Sequence, residues 1–268
     1  MNFMPGAYAH YKVGHTVQAQ LPKDIYNIVK KEQALYDLGL HGPDLLFYYK
    51  PYLRTRASVA GFGIHKKSGR EFFQAATAAY AASANPDAAL AYLYGLVCHF
   101  ALDSLCHPYI DTAIRTQRAN HLEIESSLDR TLMLKDGLNP LCHRPCAHIQ
   151  PSSRSAAVIA PFYQNIPPKT ILKAEKYMIS ITDLLYAASL PKRRRMLRLL
   201  RLLGLGRLIG GMIIPEHENP NCAESDRVLT SLCEEAAEYS LRLIGQMHRF
   251  LSDGTPLGKE FDHTFGAE

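Results

Sequence analysis

With 268 residues, 47% of them hydrophobic and 21% charged, the chain can bury a sizeable core and is neither disordered nor fibrous in composition. Its net charge of +5 is mild and sits largely in one run near residues 192–207, which argues against a general nucleic-acid-binding surface. Six cysteines are too few for a disulfide scaffold of this size, and Cys98 and Cys106 fall among apolar residues, where a free thiol behaves as a small hydrophobe.

The first residues, MNFMPGAYAHYKVGH, show no charged start followed by an apolar run, and no stretch of 18 apolar residues occurs. The expectation is a cytoplasmic protein with reduced thiols. Pro5-Gly6 signals a turn, and a short helix follows with His10 and His15, ending at Leu21-Pro22. Five residues is not a same-face helical spacing, so at most one of these histidines meets a common site. Residues 23–38 read as one amphipathic helix with Ile25, Ile28, Val29, Leu35 and Leu38 near one stripe, and Gly39 as its C-cap. Gly42-Pro43-Asp44 can start a further helix, where the local reading of Asp44 is a cap and Leu45, Leu46, Phe47 and Tyr48 turn inward.

Gly61 to His65 reads as a loop leading into an Ala-rich helix over Ser68–Ala84. Asn85-Pro86-Asp87 breaks that helix and caps the next, Ala88 to about Cys106. Here His99, Asp103 and His107 recur at i, i+4, i+8, and His121 and Glu125 repeat the i, i+4 spacing on a helix running to about Lys135 and started near Asn120. On a helix such spacings aim side chains at one place. Two imidazoles and a carboxylate set among Leu96, Val97, Phe100, Ala101, Leu102 and Leu105 would be costly to bury without partners, and a metal ion would satisfy them together.

The stretch 138–155 reads as a loop; its Cys142, His143, Cys146 and His148 lack the second pair that a zinc ribbon needs. Two helices are expected over 153–190, separated by Ile166-Pro167-Pro168. Residues 191–214 form a basic amphipathic segment, with Arg194, Arg198 and Arg201 on one face and Leu197, Leu199, Leu200, Leu203 and Leu208 on the apolar part. Such a helix is an ordinary solvated face, a partner helix or an interfacial membrane binder. A helix from Glu224 to about Phe250 needs a partner to bury Val228, Leu232, Leu241 and Ile244, and the tail from Leu251 reads as a loose end. With no repeats and no alternating strand pattern, the fold class is all-α, in a single multi-helix domain over 1–268.

The phrases MPGAYAHYKVG, GLHGPDLLFYY, YGLVCHFALDSLCHPY and HLEIE place an early His, an Asp, a His, H-x3-D, another His and H-x3-E in order. This order resembles the zinc-dependent phospholipase C superfamily, all-helical zinc phosphodiesterases that also include single-strand-specific nucleases, and in particular its non-secreted bacterial members. By motif the resemblance covers 4–135. It implies two to three zinc ions: Asp44, His65, His99 and Asp103 on one, His107, His121 and Glu125 on a second, and Asp103 bridging to a third with His10. It implies that Asp44 orients the attacking water or acts as general base. The implied activity is hydrolysis of a phospholipid or related phosphodiester; separately, the basic Leu/Arg composition of 192–213 fits approach to an anionic lipid surface, so peripheral membrane contact is expected there. The alternatives are a nuclease or small-phosphodiester hydrolase of the same fold, for which Tyr48, Tyr49 and Tyr52 would be the base-stacking platform, or an inactive binding protein. Leu45 follows Asp44 where the secreted phospholipase has a choline-recognising aromatic, so choline specificity is not implied.

Overall fold

A computed structural model describes residues 6–186 and 189–266, without the side chains of 207 and 208. Pro5 of the expected first turn and the Leu208 side chain therefore lie outside the described residues. The described chain is all-α: α1 (Ala7–Gln18), α2 (Lys23–Lys31), α3 (Gln33–Gly39), a 3-10 helix (Gly42–Tyr48), α4 (Arg56–His65), α5 (Gly69–Ala81), α6 (Pro86–Thr116), α7 (His121–Lys135), α8 (Ser153–Ile159), α9 (Pro168–Leu185), α10 (Leu190–Leu202), α11 (Gly206–Ile209) and α12 (Ala223–Asp253). No strand occurs among the described residues; the one extended pairing is an isolated antiparallel bridge between Ser68 and Thr264.

Starts follow side-chain chemistry. Asn85 accepts from the Ala88 N–H with Pro86 in the first turn of α6, and Asn120 and Glu123 form a reciprocal capping box at α7. These caps fix where α6 and α7 begin, and hence the phase of their side chains.

Helix α6 is the axis of the fold. It is the one described helix long and apolar enough to cross a membrane by length and composition, although it holds no unbroken run of 18 apolar residues, and 89% of that apolar window is buried inside the protein. Helices α3 and α12 pack on it most extensively. Its contact with α3 depends on paired glycines. A Cβ on Gly95 would lie 2.3 Å from the Tyr36 carbonyl oxygen, and one on Gly39 would lie 2.3 Å from that of Tyr92. Only glycine lets the two backbones approach this closely.

Five expectations are corrected. Residues 23–38 are two helices, because Glu32 leaves helical geometry (φ −114°, ψ 37°) and redirects α3 onto α6; its buried carboxylate is held by both terminal nitrogens of Arg154 at 2.7 Å. Gly61–His65 is no loop but the second half of α4, nucleated by a Thr55–Ser58 capping box. Helix α6 does not stop near Cys106 but runs through Pro108 to Thr116. Pro108 is exposed and Ser104 half-buried, so the carbonyl that proline leaves without a donor lies toward solvent. On α12 the buried stripe is Leu229, Cys233, Ala236, Ser240, Leu243 and Met247, joined by Ile244, while Val228, Leu232 and Leu241 flank it half-buried.

The tail is the fifth. Phe261 and Phe265 are fully buried, and the Phe265 ring centroid lies 4.9 Å from that of Phe100 and 5.6 Å from that of Phe72. Arg70 donates to the carbonyls of Leu257 and Gly258 at 3.0 and 2.8 Å, fixing the chain on its way back to the core.

Candidate metal centre

The fold gathers all eight sequence-predicted ligand residues into one cluster. Helix α6 supplies His99, Asp103 and His107, α7 supplies His121 and Glu125, α1 supplies His10, the 3-10 helix supplies Asp44 and α4 ends on His65. Asp103 sits at the middle. Its Oδ1 lies 3.3 Å from His10 Nε2 and 3.9 Å from His107 Nε2, while its Oδ2 lies 3.1 Å from His99 Nε2 and 3.7 Å from His65 Nε2. Asp44 Oδ1 is 3.0 Å from His65 Nε2, and Glu125 Oε1 is 3.0 Å from His121 Nε2 and 3.8 Å from His107 Nε2. The atoms fall into three groups, each with donors within 4.8 Å of one another: His10, His99 and Asp103; Asp44, His65 and His99; and His107, His121 and Glu125. Four ligand atoms each about 2.1 Å from one ion lie roughly 3.4 Å apart in a tetrahedron, so the spacing suits a shared cation.

Second partners orient the rings. His65 Nδ1 lies 2.8 Å from the Gly61 carbonyl, His99 Nδ1 3.2 Å from that of Leu40, and His107 Nδ1 2.9 Å from that of Phe265. A carbonyl only accepts, so each Nδ1 carries the proton and, in the neutral ring, each Nε2 presents its lone pair to the cluster. The close glycine contact of α3 and α6 has its consequence here, since it brings Leu40 to His99.

The inner atoms are not satisfied by protein alone. Among the described residues seven buried side-chain N or O atoms lack a hydrogen-bond partner, and six are in this cluster: His10 Nδ1, Asp44 Oδ1, His65 Nε2, His99 Nε2, Asp103 Oδ2 and Glu125 Oε2. Unpartnered buried polar atoms are costly and rare, and their concentration among the residues of one cluster fits cations held there. Neutral imidazole and carboxylate form a donor set suited to zinc.

The electrostatics of the metal-free cluster agree. Burial opposes charge on His107, yet Asp103 and Glu125 outweigh it and push its pKa up to about 10. Against the same burial, Asp103 raises His10, Asp44 raises His65 and Glu125 raises His121. Conversely, burial is outweighed at Glu125 by His121 and His107, which hold its carboxyl at about 2, and at Asp103 by His99 and His107, which hold it well below the carboxylate range. Protons thus occupy positions that a cation would take. Metal loading at pH 7 is expected to release at least one proton per chain, and affinity is expected to rise with pH because raising pH removes the competitor. Calorimetric titrations in buffers of different ionisation heat check this; heats independent of the buffer would contradict it.

Seven of the eight residues are buried, whereas the His121 side chain is 30% exposed. The cluster therefore opens toward solvent beside the first turn of α7.

His15 does not join the cluster; it pairs with Asp37 at 3.1 Å. In the loop after α7, His148 Nε2 meets His41 Nε2 at 2.8 Å and His143 packs edge-on to Tyr8, while Cys146 is buried and Cys142 exposed, and none of the four enters a donor group among the described residues. Tyr48 is buried, Tyr49 packs beside Tyr177 and Tyr52 is exposed, so the three form no common stacking platform.

Two contributors went unread in the sequence. Asp129 accepts from the Tyr8 and Ala9 N–H groups at 3.1 and 2.9 Å, anchoring the start of α1 and so placing His10. Burial raises its pKa to about 7 against those two hydrogen bonds. Asp129 extends the His121, Glu125 period by another four residues, a signal that was visible. Phe265, which acts through its carbonyl, left none beyond an aromatic residue near the end of the chain.

The family model described as zinc dependent phospholipase C matches residues 9–185. No curated protein and no solved structure matches the chain.

Proposed function

The chain belongs to the zinc-dependent phospholipase C family, and from that premise we propose that it is a metal-dependent phosphodiester hydrolase acting on a phospholipid. The observation that supports this most is that six unpartnered buried atoms belong to residues that form three donor groups. Asp44, His65, His99 and Asp103, then His107, His121 and Glu125, with Asp103 and His10 beside a third position, would hold two to three zinc ions; His99, with its Nδ1 committed to the Leu40 carbonyl, would serve one ion through Nε2. Zinc bound there supplies charge to neutralise an anionic phosphodiester and lowers the pKa of a water toward neutrality.

The remaining work belongs to the chain. Carbonyls of Leu40, Gly61 and Phe265 hold three imidazoles in one tautomer, so the donors need no rearrangement. Asp103 divides its two oxygens between neighbouring groups and holds them in register. Asp44 Oδ1, 3.0 Å from His65 Nε2, is placed to orient a water or take its proton. Apolar walls from Phe47 and Phe265 beside His65 keep bulk water from the inner face, and the exposed edge at His121 is where substrate enters.

The test is hydrolysis by the zinc-loaded chain of phospholipid in mixed micelles and of bis(p-nitrophenyl) phosphate. Asp44→Asn is expected to lower kcat by about 10²–10⁴ while most of the zinc stays bound. A wild-type chain that cleaves neither compound, or an Asp44→Asn variant at full rate, would refute the reading.

A further inference from the structure

Between Tyr186 and Pro215 the sequence has no acidic residue, while Lys192, Arg193, Arg194, Arg195, Arg198 and Arg201 follow within ten positions. Most of helix α10 faces solvent. Arg194, Arg195, Arg198 and Arg201 are exposed, and so are Leu199 at 55%, Leu202 at 79% and Leu203 at 61%. Arg195, Arg198, Leu199 and Leu202 follow the i, i+3, i+4, i+7 spacing and share one face. Large aliphatic side chains left this open usually mark a binding surface rather than a solvated helix.

The helix is seated by its opposite side. Arg193 is 4% exposed and lines a narrow cavity of about 50 Å³ together with His143 of the loop after α7 and with Tyr48 and Asp129, which lie on the 3-10 helix and on α7, two elements bearing the metal cluster. After α10 the chain folds back onto α7. The Gly211 backbone lies so close to its first turn that an added Cβ would be 3.0 Å from Leu122 Cβ, beside His121. The basic, apolar face is thereby tied to the open edge of the metal centre.

We propose that the outward face of α10 docks on an anionic phospholipid bilayer and holds the metal centre at the lipid surface. The leucines would enter the boundary between head groups and acyl chains, and the arginines would meet lipid phosphates. An acidic protein surface would satisfy the arginines but gives no reason for leucines standing between them. The proposal rests on the phospholipid reading for its purpose, yet docking is measured without turnover.

The experiment is co-sedimentation of the full zinc-loaded chain with phosphatidylglycerol–phosphatidylcholine vesicles and with phosphatidylcholine vesicles, alongside hydrolysis of bis(p-nitrophenyl) phosphate. The wild type is expected to partition onto the anionic vesicles only, less so at high salt. The triple variant Arg194→Gln, Arg195→Gln, Arg198→Gln is expected to lose about 100-fold in partitioning, with the soluble phosphodiester cleaved at the wild-type rate. Leu199→Ser, Leu202→Ser, Leu203→Ser should lose partitioning with the charges intact. A wild type that stays in the supernatant, binds both vesicles equally, prefers polyuridylate or an acidic protein to vesicles, or sediments undiminished in both variants would overturn the proposal. Sedimentation as expected, with no phosphodiester cleaved, would refute the hydrolase and leave docking standing.

Discussion

Asp103→Ala is expected to abolish phosphodiester hydrolysis and to strip metal from more than one donor group. Both oxygens of Asp103 face imidazoles, with His10 and His107 nearest Oδ1 and His99 and His65 nearest Oδ2. The loss should exceed the 10- to 100-fold that removal of an outer hydrogen-bond partner usually costs in affinity or rate. The metal-free protein should suffer as well, because four buried imidazoles lose the negative charge between them; breaking a buried pair costs about 3–5 kcal/mol. Zinc content, chemical denaturation and kcat on one preparation check the three parts together. Retention of full zinc content and rate would show that Asp103 is only a buried ion-pair partner.

Phe265→Ala should be nearly as damaging, although the residue lies far from every ligand in sequence. Its ring fills a fully buried place among Phe72, Phe73 and Phe100, and deletion of such a ring costs about 3–5 kcal/mol. Its carbonyl also accepts the His107 Nδ1 proton, so a loosened tail should weaken zinc at the His107, His121, Glu125 group by about 10- to 100-fold. Thermal unfolding and competition against a chromophoric chelator measure the two effects. A variant within about 1 kcal/mol of wild type, with unchanged zinc affinity, would reduce the tail to a surface appendage.

What the sequence made legible is what helical geometry converts directly into proximity. His99, Asp103 and His107, and His121 with Glu125, needed only the four-residue spacing to be grouped. His10, Asp44 and His65 could not be grouped that way, since three different elements carry them; their ordered resemblance to a known family pointed to them, and the fold brings His10 and His65 to Asp103 and Asp44 to His65.

The supporting atoms were illegible for a different reason. The carbonyls of Leu40, Gly61 and Phe265 belong to the backbone, and no residue type announces which carbonyl a ring will meet. Asp129 kept the four-residue period, but its partners are amide groups 120 and 121 positions away. The α2–α3 break, the continuation of α6 past Pro108 and the packed tail were tertiary decisions that overrode local signals.

Whether these eight side chains form a metal centre is decided by elemental analysis of the purified native protein after dialysis without chelator. Two to three zinc ions per chain are expected, falling when His99 or His121 is replaced by alanine. A chain without metal, equally stable with and without chelator, would contradict a metal centre.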